Sequence, residues 1–205
     1  MIETYCRPLY QKLLVKPIGK FAAHYCSANC ITILSLLIGI CVPFALLFIH
    51  HILAVVLLLI SGYLDTLDGT VARMRNDTSN IGCVFDIVTD RVVEFGAVLG
   101  LFFIAPQTRG LYCILMLGSI LICVTSFLVV GVFTEKDDND KSFFYSVGLM
   151  ERAEAFIFFI AMIFIPSWFA ELAIIFIILV TGTGVYRVYE FILSQKSQQL
   201  NNSLH

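Results

Sequence analysis

The sequence predicts an all-α integral membrane protein, with six transmembrane helices preceded by an N-terminal interfacial amphipathic helix. Composition supplies the first reason. Hydrophobic residues make up 59% of the 205 residues and charged residues 14%, where an ordinary soluble domain is about a quarter charged. With a mean hydropathy of +0.91, the solvent for most of this chain is lipid. Segmentation supplies the second. About 20 consecutive apolar residues span a bilayer as a helix, and six stretches approach that length, near residues 30–49, 52–74, 83–105, 111–133, 150–166 and 168–193.

Before the first stretch, residues 5–24 mix Leu, Tyr, Phe and Ile with basic side chains, the composition of a helix lying in the headgroup layer. This segment carries Glu3 upstream and no apolar core of signal-peptide length, so it does not read as a cleaved secretory leader. Pro106 and Gly110 bracket the turn before the fourth stretch. The polar run 135–142 (EKDDNDKS) separates the fourth from the fifth, and Pro166 separates the last two. One set of loops and ends collects Arg7, Lys12, Lys16, Lys20, Arg73, Arg75, Lys136, Lys141, Arg152, Arg187 and Lys196, whereas the opposite set has Arg109. The positive-inside rule then puts both termini in the cytoplasm. A single membrane domain over 1–205 is expected: interfacial helix 5–24, six-helix bundle 30–193 and cytoplasmic tail 194–205. The net charge of -2 gives no reason to expect nucleic acid as a partner. Seven cysteines without paired short spacings indicate neither a disulfide framework nor a zinc site.

Chemistry concentrates in four carboxylates. Asp65 and Asp68 lie at the cytoplasmic end of the second stretch, and Asp86 and Asp90 open the third. Intramembrane carboxylates are costly unless they face a cavity, a partner or a metal. Helical steps of three and four put Asp65, Asp68, Gly69 and Ala72 on one stripe and Gly82, Asp86 and Asp90 on another. Two such stripes facing one another would repel without a cation. Their all-oxygen donors suit Mg²⁺, Mn²⁺ or Ca²⁺. A metal pair can bridge the oxygens of a diphosphate while a spare carboxylate takes a proton from an incoming hydroxyl. Arg73 adds a planar donor fork for phosphate. The small residues Gly69, Ala72 and Gly82 leave room for a nucleotide, although Gly82 and Ala72 serve close helix packing equally well.

Residues 65–90 read Asp-x2-Asp-Gly-x2-Ala-Arg-x8-Gly-x3-Asp-x3-Asp. This resembles the signature of the CDP-alcohol phosphatidyltransferases at every specified position. Asn29-x2-Thr32 at the start of the first stretch is also similar to a family feature, with Ala28 where a proline is usual. The resemblance implies a helical homodimer that cleaves a CDP-linked donor, CDP-diacylglycerol or another CDP-alcohol, releases CMP, and joins the phosphoryl group to a small polar alcohol. It implies two Mg²⁺ or Mn²⁺ ions on Asp65, Asp68 and Asp86 with Asp90 beside them, Asp90 as the catalytic base, and CDP contacts from Gly69, Ala72, Arg73 and Gly82. Ser35 stands where members using glycerol 3-phosphate usually carry Arg. Asp90-Arg91 and Glu151-Arg152-x-Glu154 resemble inositol-phosphate-type members, with Arg91 and Arg152 as acceptor contacts. Against that subgroup, Val129–Phe133 replaces an expected Lys-Ala-Arg stretch.

Other charged residues have plainer readings. Arg91 with Glu94, and Arg187 with Glu190, have the spacing of ordinary helix ion pairs, and Arg187 is near enough to a span end to snorkel. The run 135–142 lacks the glycine and spacing of a calcium loop and reads as a solvated linker. A transporter would show interrupted helices in matching halves, which the sequence lacks. A prenyltransferase would separate its acidic motifs, but here they fall within 65–90. A CDP-choline or ethanolamine-type phosphotransferase with a lipid acceptor is the alternative enzyme, and an ion-binding membrane protein the alternative without chemistry.

Overall fold

The computed structural model describes residues 10–77, 79–134, 150 and 152–203. A π-helical turn (Gln11–Val15) leads into α1 (Lys16–Tyr25), and α2 (Ala28–Leu47), α3 (His51–Met74), α4 (Asn80–Ile104) and α5 (Pro106–Thr134) follow. After the polar run come α6 (Arg152–Phe164), a 3₁₀ turn (Pro166–Trp168) and α7 (Phe169–Ser203). The run 135–142, with Gly148, Leu149 and Glu151, lies outside the described residues.

Among the described residues, four helical stretches are long and apolar enough to cross a membrane: Ala28–Leu47, His51–Met74, Pro106–Thr134 and Pro166–Lys196. The other two expected spans fall short for different reasons. Helix α4 has 25 residues but carries Asp86, Asp90, Arg91 and Glu94, while α6 has 13 described residues. The outer surface of the bundle is apolar, as lipid requires: Leu37, Phe44, Leu111, Leu121 and Ile178 are all exposed.

Local chemistry sets the helix starts. Ser27 and Ser79 precede α2 and α4 in extended conformation, and their hydroxyls accept the Cys30 and Gly82 backbone N–H groups, respectively. These are N-caps, which satisfy donors that the first turn leaves open. The turn expected around Pro106 and Gly110 is displaced. Helix α5 begins at Pro106 itself, a position where proline's missing N–H costs nothing, and Gly110 lies inside the helix. Helix α7 continues to Ser203, so the segment after residue 193 extends the last span as helix.

Helix α2 packs along α3 and α4, α5 packs along α7, and α6 touches α3, α4 and α7. The α2–α4 crossing is close because Gly39 has no side chain. A Cβ there would lie 2.5 Å from Val93 Cγ2 and 3.1 Å from Ser61 Oγ. Ser35 and Ser61 close the α2–α3 seam reciprocally: Ser35 Oγ donates to the Ser61 carbonyl at 2.8 Å, and Ser61 Oγ to the Ser35 carbonyl at 3.0 Å. Ser35 is thus committed to helix packing. The main core gathers Val42, Leu46, Leu58, Val93, Leu101, Met116, Phe159 and Phe176. A second cluster of Val15, Ile31, Leu67 and Val71 seats α1 against the end of α3.

The π-helical turn and α1 together turn Val15 and Gly19 inward and leave Leu14, Ile18, Phe21 and Tyr25 exposed. Three bonds tie this segment down: Tyr63 donates to the Leu14 carbonyl at 3.1 Å, and Arg75 to the Cys26 carbonyl at 2.8 Å and the Ala23 carbonyl at 3.4 Å. At the other end of the bundle Arg109 is buried, its guanidinium 4.2 Å from the centre of the Phe169 ring. Arg187 does not simply snorkel. It reaches across to α5, donating to the Cys123 carbonyl at 3.2 Å, while Glu190 accepts from the Tyr186 hydroxyl at 2.8 Å.

Candidate active site

The acidic stripes of α3 and α4 converge beside α2, which packs along both helices. One oxygen from each of Asp65, Asp68 and Asp86 lies within 4.8 Å of the others. Asp68 is 5% exposed and accepts the Thr32 hydroxyl of α2 at 2.5 Å. That bond gives the Asn29-x2-Thr32 feature a physical purpose, since Thr32 orients a buried carboxylate. Asp86 keeps a buried Oδ1 with no hydrogen-bond partner. Three hard oxygen donors, one aimed by a hydroxyl and one unspent, fit a divalent cation such as Mg²⁺ or Mn²⁺.

Asp90 stands outside this trio. Arg152, the first residue of α6, makes ion pairs with both Asp65 and Asp90. Its guanidinium also lies 5.3 Å from the centre of the Phe156 ring. Arg91 flanks Asp90 on the other side, with Nη2 3.8 Å from Asp90 Oδ2 and Nη1 2.7 Å from Glu94 Oε2. Charges therefore alternate along Asp65, Arg152, Asp90, Arg91 and Glu94. Both guanidiniums retain a buried Nε without a hydrogen-bond partner.

The trio opens onto a cleft of about 490 Å³ between α3 and α6. Asp65, Asp68, Asp86, Gly69, Arg73 and Arg152 line its charged end. Leu59, Phe156, Ile157 and Ile160 continue it as an apolar arm toward the middle of the bundle. Gly62 lets that arm form, because a Cβ there would meet the Phe156 ring at 2.9 Å. The lead-in to α1 contributes Tyr10, whose phenol is held above its ordinary pKa by burial and then by the neighbouring Tyr63.

Most of the residues singled out from sequence are near one another. Arg73 is exposed at the end of α3, with its guanidinium over Gly69, the Nη1 atom 3.6 Å from where a Cβ would stand. Ala72 and Gly82 do not line the cleft. Gly82 lies by the Ser79 cap and the Asn29 amide, whose Oδ1 is 3.6 Å from a built Cβ. Sequence reasoning missed Tyr10 and Phe156, which carry no motif, and valued Thr32 only as part of a resemblance.

Comparison with known proteins agrees with this geometry. The family model for CDP-alcohol phosphatidyltransferase matches residues 25–195. The chain is 29% identical to the inner membrane protein YnjF of Escherichia coli, over 97% of this chain and 99% of that one. It is 30% identical to the phosphatidylinositol phosphate synthase of Corynebacterium glutamicum, over 71% and 67%. The crystal structure of the Mycobacterium tuberculosis phosphatidylinositol phosphate synthase with CDP-DAG bound has the same fold. It superposes with a TM-score of 0.69 at 17% identity, covering 87% of this chain and 93% of that one.

Proposed function

The chain belongs to the CDP-alcohol phosphatidyltransferase family, and from that premise we propose that it displaces CMP from CDP-diacylglycerol with the hydroxyl of a small phosphorylated alcohol. One observation carries the donor assignment: the cation-fitting trio and an apolar arm share one cleft. A diphosphate at the charged end leaves diacylglycerol chains along Leu59, Phe156, Ile157 and Ile160. Asp65, Asp68 and Asp86 would hold the divalent metal, two ions by the family resemblance, with Asp90 close by. When bound, the metal would neutralise diphosphate oxygens and make phosphorus more electrophilic. Arg73 offers its donor fork to phosphate, and Gly69 keeps the backbone approachable. Ala72 and Gly82 contribute to the nucleotide side by their small size.

Asp90 takes the proton of the acceptor hydroxyl. The resulting oxygen forms a bond to the phosphorus carrying diacylglycerol, and the anhydride bond breaks with its electron pair leaving on CMP. Arg91 and Arg152 flank Asp90, each with an unspent donor, so an anionic acceptor is preferred. An inositol phosphate fits this requirement, and the likeness to a phosphatidylinositol phosphate synthase supports it.

The setting completes the reading. All six expected spans cross the bilayer, and both termini lie in the cytoplasm. The exposed Lys16, Lys20, Arg73 and Arg75 lie toward the same end as the trio, which supports a cytoplasmic active-site face. Helix α1 rests its exposed apolar side in the headgroup layer, and the protein works as a homodimer. Purified protein with Mg²⁺ or Mn²⁺ and CDP-diacylglycerol should release CMP with inositol 1-phosphate faster than with inositol, serine or glycerol 3-phosphate. CMP release only from CDP-choline and diacylglycerol would replace this reading with its alternative.

A further inference from the structure

Glu94 belongs to neither the trio nor the cleft, yet it is a carboxylate on α4 with 5% exposure. Burying a charge this way is expensive, and replacing a buried ion pair by apolar side chains is often neutral or stabilising. Stability alone is thus a poor account of Glu94. Its ion pair is with Arg91, one turn earlier on α4, at 2.7 Å. Arg91 in turn is 3.8 Å from Asp90, whose opposite side pairs with Arg152. The Arg91 side chain is 35% exposed and would otherwise sample many rotamers.

We propose that Glu94 is a positioning residue: it holds Arg91 beside Asp90, so that the guanidiniums of Arg91 and Arg152 form a two-sided seat for the anionic group of the acceptor. This rests on the acceptor reading above and adds to it a residue that never touches substrate. Fixing Arg91 in advance removes the entropy that the acceptor would otherwise have to overcome. Glu94 does not line the donor end of the cleft, which is formed by Asp65, Asp68, Gly69, Arg73, Asp86 and Arg152.

The test compares the parent, Glu94→Gln, Glu94→Asp and the charge-swapped double variant Arg91→Glu/Glu94→Arg. CMP release is measured against inositol 1-phosphate and glycerol 3-phosphate, with CDP-diacylglycerol binding and Tm read on the same preparations. Glu94→Gln should raise the acceptor KM about ten- to a hundredfold, as expected for losing a contact to a charged group. Its kcat should change much less and its donor binding not at all. Glu94→Asp keeps the charge and should recover part of the loss. The swapped variant should match the parent's Tm and donor binding yet keep the raised KM, because a carboxylate then stands beside Asp90.

Two results overturn the inference while leaving the phosphatidyltransferase reading intact: an acceptor KM unchanged in Glu94→Gln, or full recovery of activity in the swapped variant. Either would make the pair an ordinary helix ion pair. If the parent releases CMP with neither phosphorylated alcohol, the acceptor reading fails, and the role of Glu94 fails with it.

Discussion

At the scale of single residues, the aspartates divide by what each one touches. Asp65, Asp68 and Asp86 present oxygens to a common point, while Asp90 is held between two arginines. Asp90→Asn should therefore reduce turnover by about 10²- to 10⁴-fold, the range for loss of a general base. Donor binding should survive, which a CDP-diacylglycerol thermal shift would check. Thr32 has a different role. Thr32→Val keeps the shape and removes the hydroxyl from buried Asp68, so Mn²⁺ affinity should fall about 10- to 100-fold, measured by calorimetric titration. An unchanged affinity would mean that Asp68 needs no orienting bond.

At the scale of elements, two kinds of contact set the geometry. Small residues bring helices together, and backbone-directed polar bonds keep them in register. Gly39 and Gly100 are tight points of the α2–α4 crossing, and Ser61 reaches the Gly39 spot from α3. Gly39→Val should cost about 1–3 kcal/mol by overpacking. The readout is a lowered Tm in detergent, and activity should fall with it because α3 and α4 carry the facing carboxylates. Arg75 belongs to this scale too. Its bond to the Cys26 carbonyl holds the end of α1 against the end of α3.

At the scale of the whole molecule, the site is the place where α2, α3, α4 and α6 come together, so ligand and fold stabilise one another. Saturating Mn²⁺ at about 100 times its Kd should add about 2.7 kcal/mol of stability. This would appear as a raised Tm, lost in Asp68→Asn and reversed by a chelator. The apolar arm makes a separate prediction. Ile157→Asp places a charge where lipid chains are proposed to lie, and should raise the KM for CDP-diacylglycerol while leaving the Mn²⁺-induced shift in place.

What the sequence determined alone is the part governed by local spacing and composition. Hydropathy marked the helices, and steps of three and four put carboxylates on common stripes. Asp65, Asp68, Asp86 and Asp90 were legible for that reason, as was the family their spacing resembles. Tertiary structure decided which of them converge, because the distance between two helix faces depends on packing at Gly39 and on the Ser35–Ser61 seam. It also brought Arg152 to Asp65 and Asp90 across more than sixty residues of chain. Ser35 was visible from the start as the absence of an arginine. Only the packed bundle shows it clamped to Ser61, with its hydroxyl committed to holding two helices together.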